Sequence, residues 1–254
     1  MGSAPVGVAD LVDGAIARVR ACLAPLLLVC AVPLVPAALV AATAPLWSSA
    51  PVRALIVGLP LLFGSLIATA TATHVLGDTG LGRPASARNA FRRVWVRRWA
   101  VLRVGVRSLV ETLICCLVIV PAPGRLAAAQ VGAPVLLLEE VGAPEAWRRA
   151  RFLTRGRAAT VLGTQAVLIL VALAVAALPV VGVLLVIPRP ASGSAALADA
   201  RALVAAIVAA TAVLAALAAG RFTCFLSRRE QLEAIDLQLA LEALDASTPL
   251  PVAP

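Results

Sequence analysis

Residues 86–99 read SARNAFRRVWVRRW, and this stretch decides how the chain folds. Phe91, Val94, Trp95 and Trp99 recur at helical spacing, while Arg88, Arg92 and Arg97 project elsewhere. Aromatics on one side and arginines on the other describe a helix lying in the headgroup plane of a membrane. Each arginine near an anionic leaflet contributes about 1 kcal/mol, so several together hold such a helix in place. A second basic elbow begins at Pro144 and carries Trp147, Arg148, Arg149, Arg151, Arg155 and Arg157. Across the two elbows, Arg88, Arg92, Arg93, Arg97, Arg98, Arg148, Arg149, Arg151 and Arg155 are candidate contacts for anionic lipid headgroups.

Outside the elbows the chain is apolar. Of 254 residues, 61% are hydrophobic and 14% charged, and the mean hydropathy is +0.99. A soluble domain of that length has too little interior to hide so much apolar surface. The net charge of +9 comes from arginine alone, and those arginines sit at the ends of apolar runs rather than on a polar domain. A membrane-facing turn explains them with no nucleic-acid partner. The cysteines, Cys22, Cys30, Cys115, Cys116 and Cys224, lie in or beside apolar runs without the spacing of a zinc or redox site. Asp10 and Asp13 precede any basic residue, which is unlike a cleavable signal.

Walking outward, residues 6–20 predict an amphipathic helix with Val8, Leu11, Val12, Ala15, Ile16 and Val19 on one face. Uncharged runs at 22–47 and 54–77 predict two spans, the second with a close-packing face at Gly64, Ala68 and Ala72. A third, 100–120, carries Arg103, Arg107 and Glu111. The next apolar piece, 126–138, has 13 residues, short of the ~17 a span needs. It either crosses by borrowing its flanks or forms a re-entrant hairpin with the third. Runs at 158–187 and 202–220 complete the set, joined by a Pro/Ser/Gly/Ala-rich loop at 188–200. Ala212, Ala216 and Gly220 form a second close-packing face.

The fold class is therefore all-α: a polytopic transmembrane bundle of six spans, or four plus a hairpin, in one domain over residues 1–245. An acidic amphipathic helix is expected at 228–244, docked on Arg148 and Arg149, and a disordered tail at 246–254. Arginine counting puts both elbows and both termini in the cytoplasm. A weak echo, Asn89-Ala-Phe-Arg-Arg93 against Glu145-Ala-Trp-Arg-Arg149, relates the two elbows.

Few residues are candidates for chemistry. Arg107 and Glu111 are four apart on one helix, which predicts an intrahelical pair. Glu111 lies about 18 Å along the helix from Trp99, near mid-membrane. Such a pair either fixes packing or marks a polar pathway. Gln130, Thr164 and Gln165 are expected to form interhelical hydrogen bonds. His74, the one histidine, has no carboxylate cluster or thiolate pair to share a metal with. Glu139 and Glu140 diverge by about 100° on a helix, so they are expected to cap the entry to elbow two, opposite its arginines. No nucleophile-elbow or phosphate-loop motif appears, and no cofactor is expected.

Several short motifs carry a family resemblance. Val118-Ile-Val-Pro121, Pro134-Val-Leu-Leu-Leu-Glu139, Ala146-Trp-Arg-Arg149, Leu153-Thr-Arg-Gly-Arg157 and Val161-Leu-Gly163 resemble the membrane domain fused to some bacterial glycerophosphodiester phosphodiesterases, and its stand-alone relatives. The resemblance covers about residues 8–244. It implies a bacterial inner-membrane bundle, while the histidines and acidic metal ligands of the phosphodiesterase barrel have no counterpart here. The expected function is a non-catalytic membrane scaffold or partner subunit, bound to anionic lipids and to a protein partner or second copy of itself. The alternative is a small transporter or lipid-handling protein with its polar pathway at Arg107 and Glu111.

Overall fold

The computed structural model describes the backbone of residues 7–36, 50–117, 123–186 and 195–247. Among these residues it is all-α, without strands. The helices are α1 (Val8–Ala21), α2 (Leu23–Ala31), α3 (Ala50–Gly80), α4 (Ala87–Val96), α5 (Arg98–Leu117), α6 (Pro123–Leu138), α7 (Ala143–Thr154), α8 (Ala158–Val186) and α9 (Ala195–Ser247).

Helix α1 buries Leu11, Val12 and Ala15 of its predicted apolar face. At Cys22 the chain turns by 88° into α2, which tightens to a 3-10 turn at Val32–Leu34 around Pro33. The predicted run at 22–47 is thus no single straight α-helix as far as residue 36; residues 37–49 lie outside the described ones. Helix α3 passes through Pro60 and buries Gly64, Ala68 and Ala72, as the small-residue spacing predicts. Its hydroxyls are satisfied locally: Thr69 donates to the Ser65 carbonyl, Thr71 to Ile67 and Thr73 to Thr69 at 2.7–2.9 Å. Such back-bonding hides polar groups in apolar surroundings.

Helix α6 is the hub. It touches α3, α5, α7, α8 and α9, and its buried face runs from Ala127 to Leu137. Sixteen residues rise only about 24 Å, so α6 is short for a crossing yet enclosed by protein on most sides. Small residues permit this enclosure. Gly132 lies against Val104 and the Trp147 ring, and Ser108 donates to the Ala129 carbonyl at 3.1 Å. Contacts 104–132, 108–129 and 111–125 set α5 antiparallel to α6. A second cluster gathers α1, α2, α3 and α9 around Leu26, Val75, Leu76 and Phe222.

Among the described residues two stretches, Ala158–Gly182 and Val204–Ala234, are long and apolar enough to cross a membrane; counting the bent α1–α2 pair makes three. Three expectations need correcting. Residues 195–200 are helical, so the predicted loop over 188–200 is shorter at its C-terminal side. Helix α9 then continues for 53 residues, with no break between the sixth apolar run and the predicted separate acidic helix. After Gly220 nothing in the sequence as far as Ser247 is a proline or another glycine, so the helix has no stop signal. The predicted tail at 246–254 begins inside this helix and otherwise lies outside the described residues.

Helices α8 and α9 approach closely at Gly220. A Cβ there would stand 2.6 Å from Leu168 Cδ1 and 2.9 Å from Gln165 Nε2. Gly220→Leu should therefore cost about 1–3 kcal/mol of stability through overpacking. Gly182→Leu, where a Cβ meets nothing within 4 Å, should leave the melting temperature unchanged or higher. Thermal unfolding of both variants in detergent, followed by tryptophan fluorescence, distinguishes these outcomes.

Candidate functional site

The two elbows are α4 and α7, and both are pinned at carboxylates. In α4, Ser86 caps the first turn by accepting from the Asn89 N–H at 3.4 Å. Ala90 and Val94 face inward, whereas Phe91, Trp95 and Trp99 remain exposed. The predicted apolar stripe is therefore split. Phe91 and Trp95 stack at 5.7 Å, and the Arg98 guanidinium lies 5.6 Å and 5.9 Å from the Trp95 and Trp99 rings. Rings and guanidinium together form an exposed amphipathic surface of the kind found at membrane interfaces.

Asp78, near the end of α3, receives Arg93 at 3.2 Å; Glu140, just past α6, faces Arg97 at 3.6 Å. Glu139 meets Arg149 of the other elbow at 2.5 Å. A carboxylate at a helix C-terminus opposes the helix dipole, and the buried Asp78 and largely buried Glu139 lose hydration as well. Opposing arginines offset both effects. Glu139 thus stands against an elbow-two arginine as its position predicts, whereas Glu140, turning away with a φ of 55°, faces Arg97 of elbow one instead.

Elbow two packs antiparallel to α6, with Pro144 in its first turn and Trp147 buried against Gly132. Trp147 joins the two groups of candidate residues. The Arg107 guanidinium lies 4.6 Å from its ring centroid and that of Arg151 5.7 Å. Glu111 faces Arg125 of α6 at 3.8 Å. The expected Arg107–Glu111 pair is accordingly absent among the described residues. Both side chains turn to neighbouring helices, because a tryptophan face and a second arginine lie within reach.

The C-terminal helix does meet elbow two, as expected of a helix docked on the basic elbows, but among the described residues it does so without pairing to Arg148 or Arg149. Arg148 pairs with Glu145 of its own helix, Arg149 with Glu139, and Glu233 with Arg229 at 2.6 Å. Basic Arg228 makes the contact instead, donating to the carbonyls of Leu153 at 2.7 Å and Arg155 at 3.4 Å. It satisfies acceptors that the end of α7 leaves open.

The three polar residues at depth differ in outcome. Gln130 accepts from Arg221 Nε at 2.8 Å, an interhelical bond as predicted. Thr164 donates to the Thr160 carbonyl of its own helix. The Gln165 amide is buried with no partner among the described residues. His74 is buried, and among the described residues no group of three His, Cys, Asp or Glu is placed to hold a metal.

Beside elbow two, the chain turns at Gly156 and leaves a recess of about 630 Å³. Arg125, Arg151 and Arg155 line it, together with first-turn residues of α6 and α8. Arg88 and Arg92 are exposed on elbow one. Sequence reasoning missed Arg125, which it did not name as a headgroup contact, and missed Trp147 as a platform. The available signal for Trp147 was one tryptophan among five arginines.

Comparison with family models, curated proteins and solved structures finds no match to this chain.

Glu139→Gln should loosen elbow two by about 1–3 kcal/mol, discounted because Arg149 is half exposed. Glu145→Gln, at an exposed pair, should cost under about 1 kcal/mol. Limited trypsin cleavage at Arg148–Arg157, compared between the two variants, reads the difference directly.

Proposed function

We propose that this chain is a polytopic membrane protein that acts without catalysis, as a scaffold or partner subunit whose basic elbows grip an anionic lipid surface. The observation that carries this reading is elbow one. Its exposed Phe91 and Trp95 alternate with exposed Arg88 and Arg92 on a helix pinned to the bundle by Asp78, and half-buried Arg98 and exposed Trp99 continue that surface at the start of α5. Such a surface matches the boundary between headgroups and acyl chains, where rings and guanidiniums are both solvated favourably. The two helices apolar enough to cross, and the third bent pair, agree with this reading.

The finer layout belongs to the same proposal: six spans, or four and a hairpin at 100–138, with both elbows and both termini in the cytoplasm of a bacterial inner membrane. The short, protein-enclosed α6 favours the hairpin form. Kinship with the membrane domain of glycerophosphodiester phosphodiesterases is proposed on the motifs quoted above. A homo-oligomer or protein partner remains part of the scaffold reading, with no nucleic acid involved.

A second reading, a small transporter or lipid-handling protein, draws on Glu111. Its Oε2 is buried without a hydrogen bond, 3.8 Å from Arg125. On that reading Glu111→Gln abolishes transport in proteoliposomes while expression and melting temperature stay at wild-type values.

Cysteine labelling tests the leading reading. On a background lacking native cysteines, Arg88→Cys and Arg148→Cys should resist a membrane-impermeant maleimide in intact cells. Both should react once the membrane is permeabilised. Labelling of one and not the other from outside overturns the layout.

A further inference from the structure

We propose that the recess beside elbow two binds a phosphate group of the kind carried by an anionic lipid headgroup. The inference rests on the membrane reading for the source of that phosphate, and on the geometry of the recess for its chemistry.

Arg125, Arg151 and Arg155 line one open recess of about 630 Å³, a size suited to a small ligand. Glu111 offsets Arg125 alone, and at 3.8 Å it does so loosely. Arg151 rests against the Trp147 ring, and neither it nor Arg155 has a carboxylate within ion-pair distance among the described residues. Like charges gathered in one concavity repel, and an anion placed between them removes that cost.

The backbone adds to this potential. Gly124 and Arg125 belong to the first turn of α6, and Ala158 and Ala159 to the first turn of α8; all four line the recess. First-turn N–H groups have no carbonyl partner within their helix, and the dipole makes that end positive. Gly156, at a φ of +75°, supplies the left-handed turn that brings the start of α8 back beside the end of α7. The positive ends of two helices and three arginines thus converge on one space.

A phosphate suits these donors better than a single carboxylate does. Its several oxygens accept from more than one planar guanidinium and from backbone N–H groups at once. Phe152, next to Arg151 and exposed, provides an apolar neighbour for an acyl chain.

The test uses the full-length protein in a neutral maltoside detergent, with melting temperature as the readout. It is titrated separately with phosphatidylglycerol, phosphatidylcholine and inorganic phosphate. Phosphatidylglycerol should stabilise the wild type more than phosphatidylcholine. Removing both charges with Arg151→Gln and Arg155→Gln should raise its half-saturating concentration by roughly 25-fold, about fivefold for each arginine. Arg20→Gln with Arg83→Gln, exposed arginines outside both elbows, should leave it near the wild-type value. Arg155→Gln alone, which keeps Arg151 on Trp147, should give the fivefold part and guards against misfolding of the double variant.

If inorganic phosphate reproduces the shift with the same arginine dependence and lipid adds nothing, the recess stands and its source is free phosphate. Equal losses in the recess variant and in the Arg20/Arg83 control reveal a diffuse surface effect and overturn the recess. Absence of any shift with either phosphate source also overturns it. Release of the chain from cell membranes by alkaline carbonate would sink the membrane reading instead, and the inorganic phosphate arm would still judge the recess.

Discussion

Carboxylates at helix ends, two of them buried and in need of a partner, organise this molecule. Asp78, Glu139 and Glu140 stand near or just past the C-terminal ends of α3 and α6, where the helix dipole opposes their charge. Asp78 is buried and Glu139 nearly so. Each faces an elbow arginine: Arg93, Arg149 and Arg97 respectively. The elbows therefore cannot drift along the bundle surface. Their position fixes which arginines are used up internally and which are left to face outward.

That division gives the elbows different characters. Elbow one spends Arg93 and Arg97 on the bundle and turns Arg88, Arg92 and Arg98 outward among exposed rings. Elbow two commits Arg148 and Arg149 to glutamates, then directs Arg151 and Arg155 into a recess shared with Arg125. Trp147 is the physical link, since its buried ring accepts Arg107 on α5 and Arg151 on α7. The candidate polar pair in α5 and the candidate lipid contacts in α7 thus belong to one neighbourhood.

Most elements were legible from local pattern. Ser86 and the stripe through Val94 announce α4; Pro144 announces α7; the spacing of Leu11, Val12 and Ala15 announces α1. Helix contacts at Gly64, Ala68, Ala72 and Gly220 followed from small-residue spacing. Pairings between distant segments were less accessible. Arg107 and Glu111 satisfy the helical spacing rule, yet each finds a partner on another helix. The acidic C-terminal segment meets elbow two through Arg228, because open carbonyls at the end of α7 need a donor and Arg148 and Arg149 already face glutamates.

Composition and periodicity by themselves determined an all-helical chain with long apolar runs and two basic turns, since those depend on hydration and local dihedral preference. Tertiary structure alone decided that α9 runs unbroken past Gly220, that α6 is enclosed as the hub, and that Arg125 meets Arg151 and Arg155. A charged side chain several ångströms long can reach more than one partner. Which one it takes depends on how neighbouring helices are set against each other, and no spacing within a single helix encodes that.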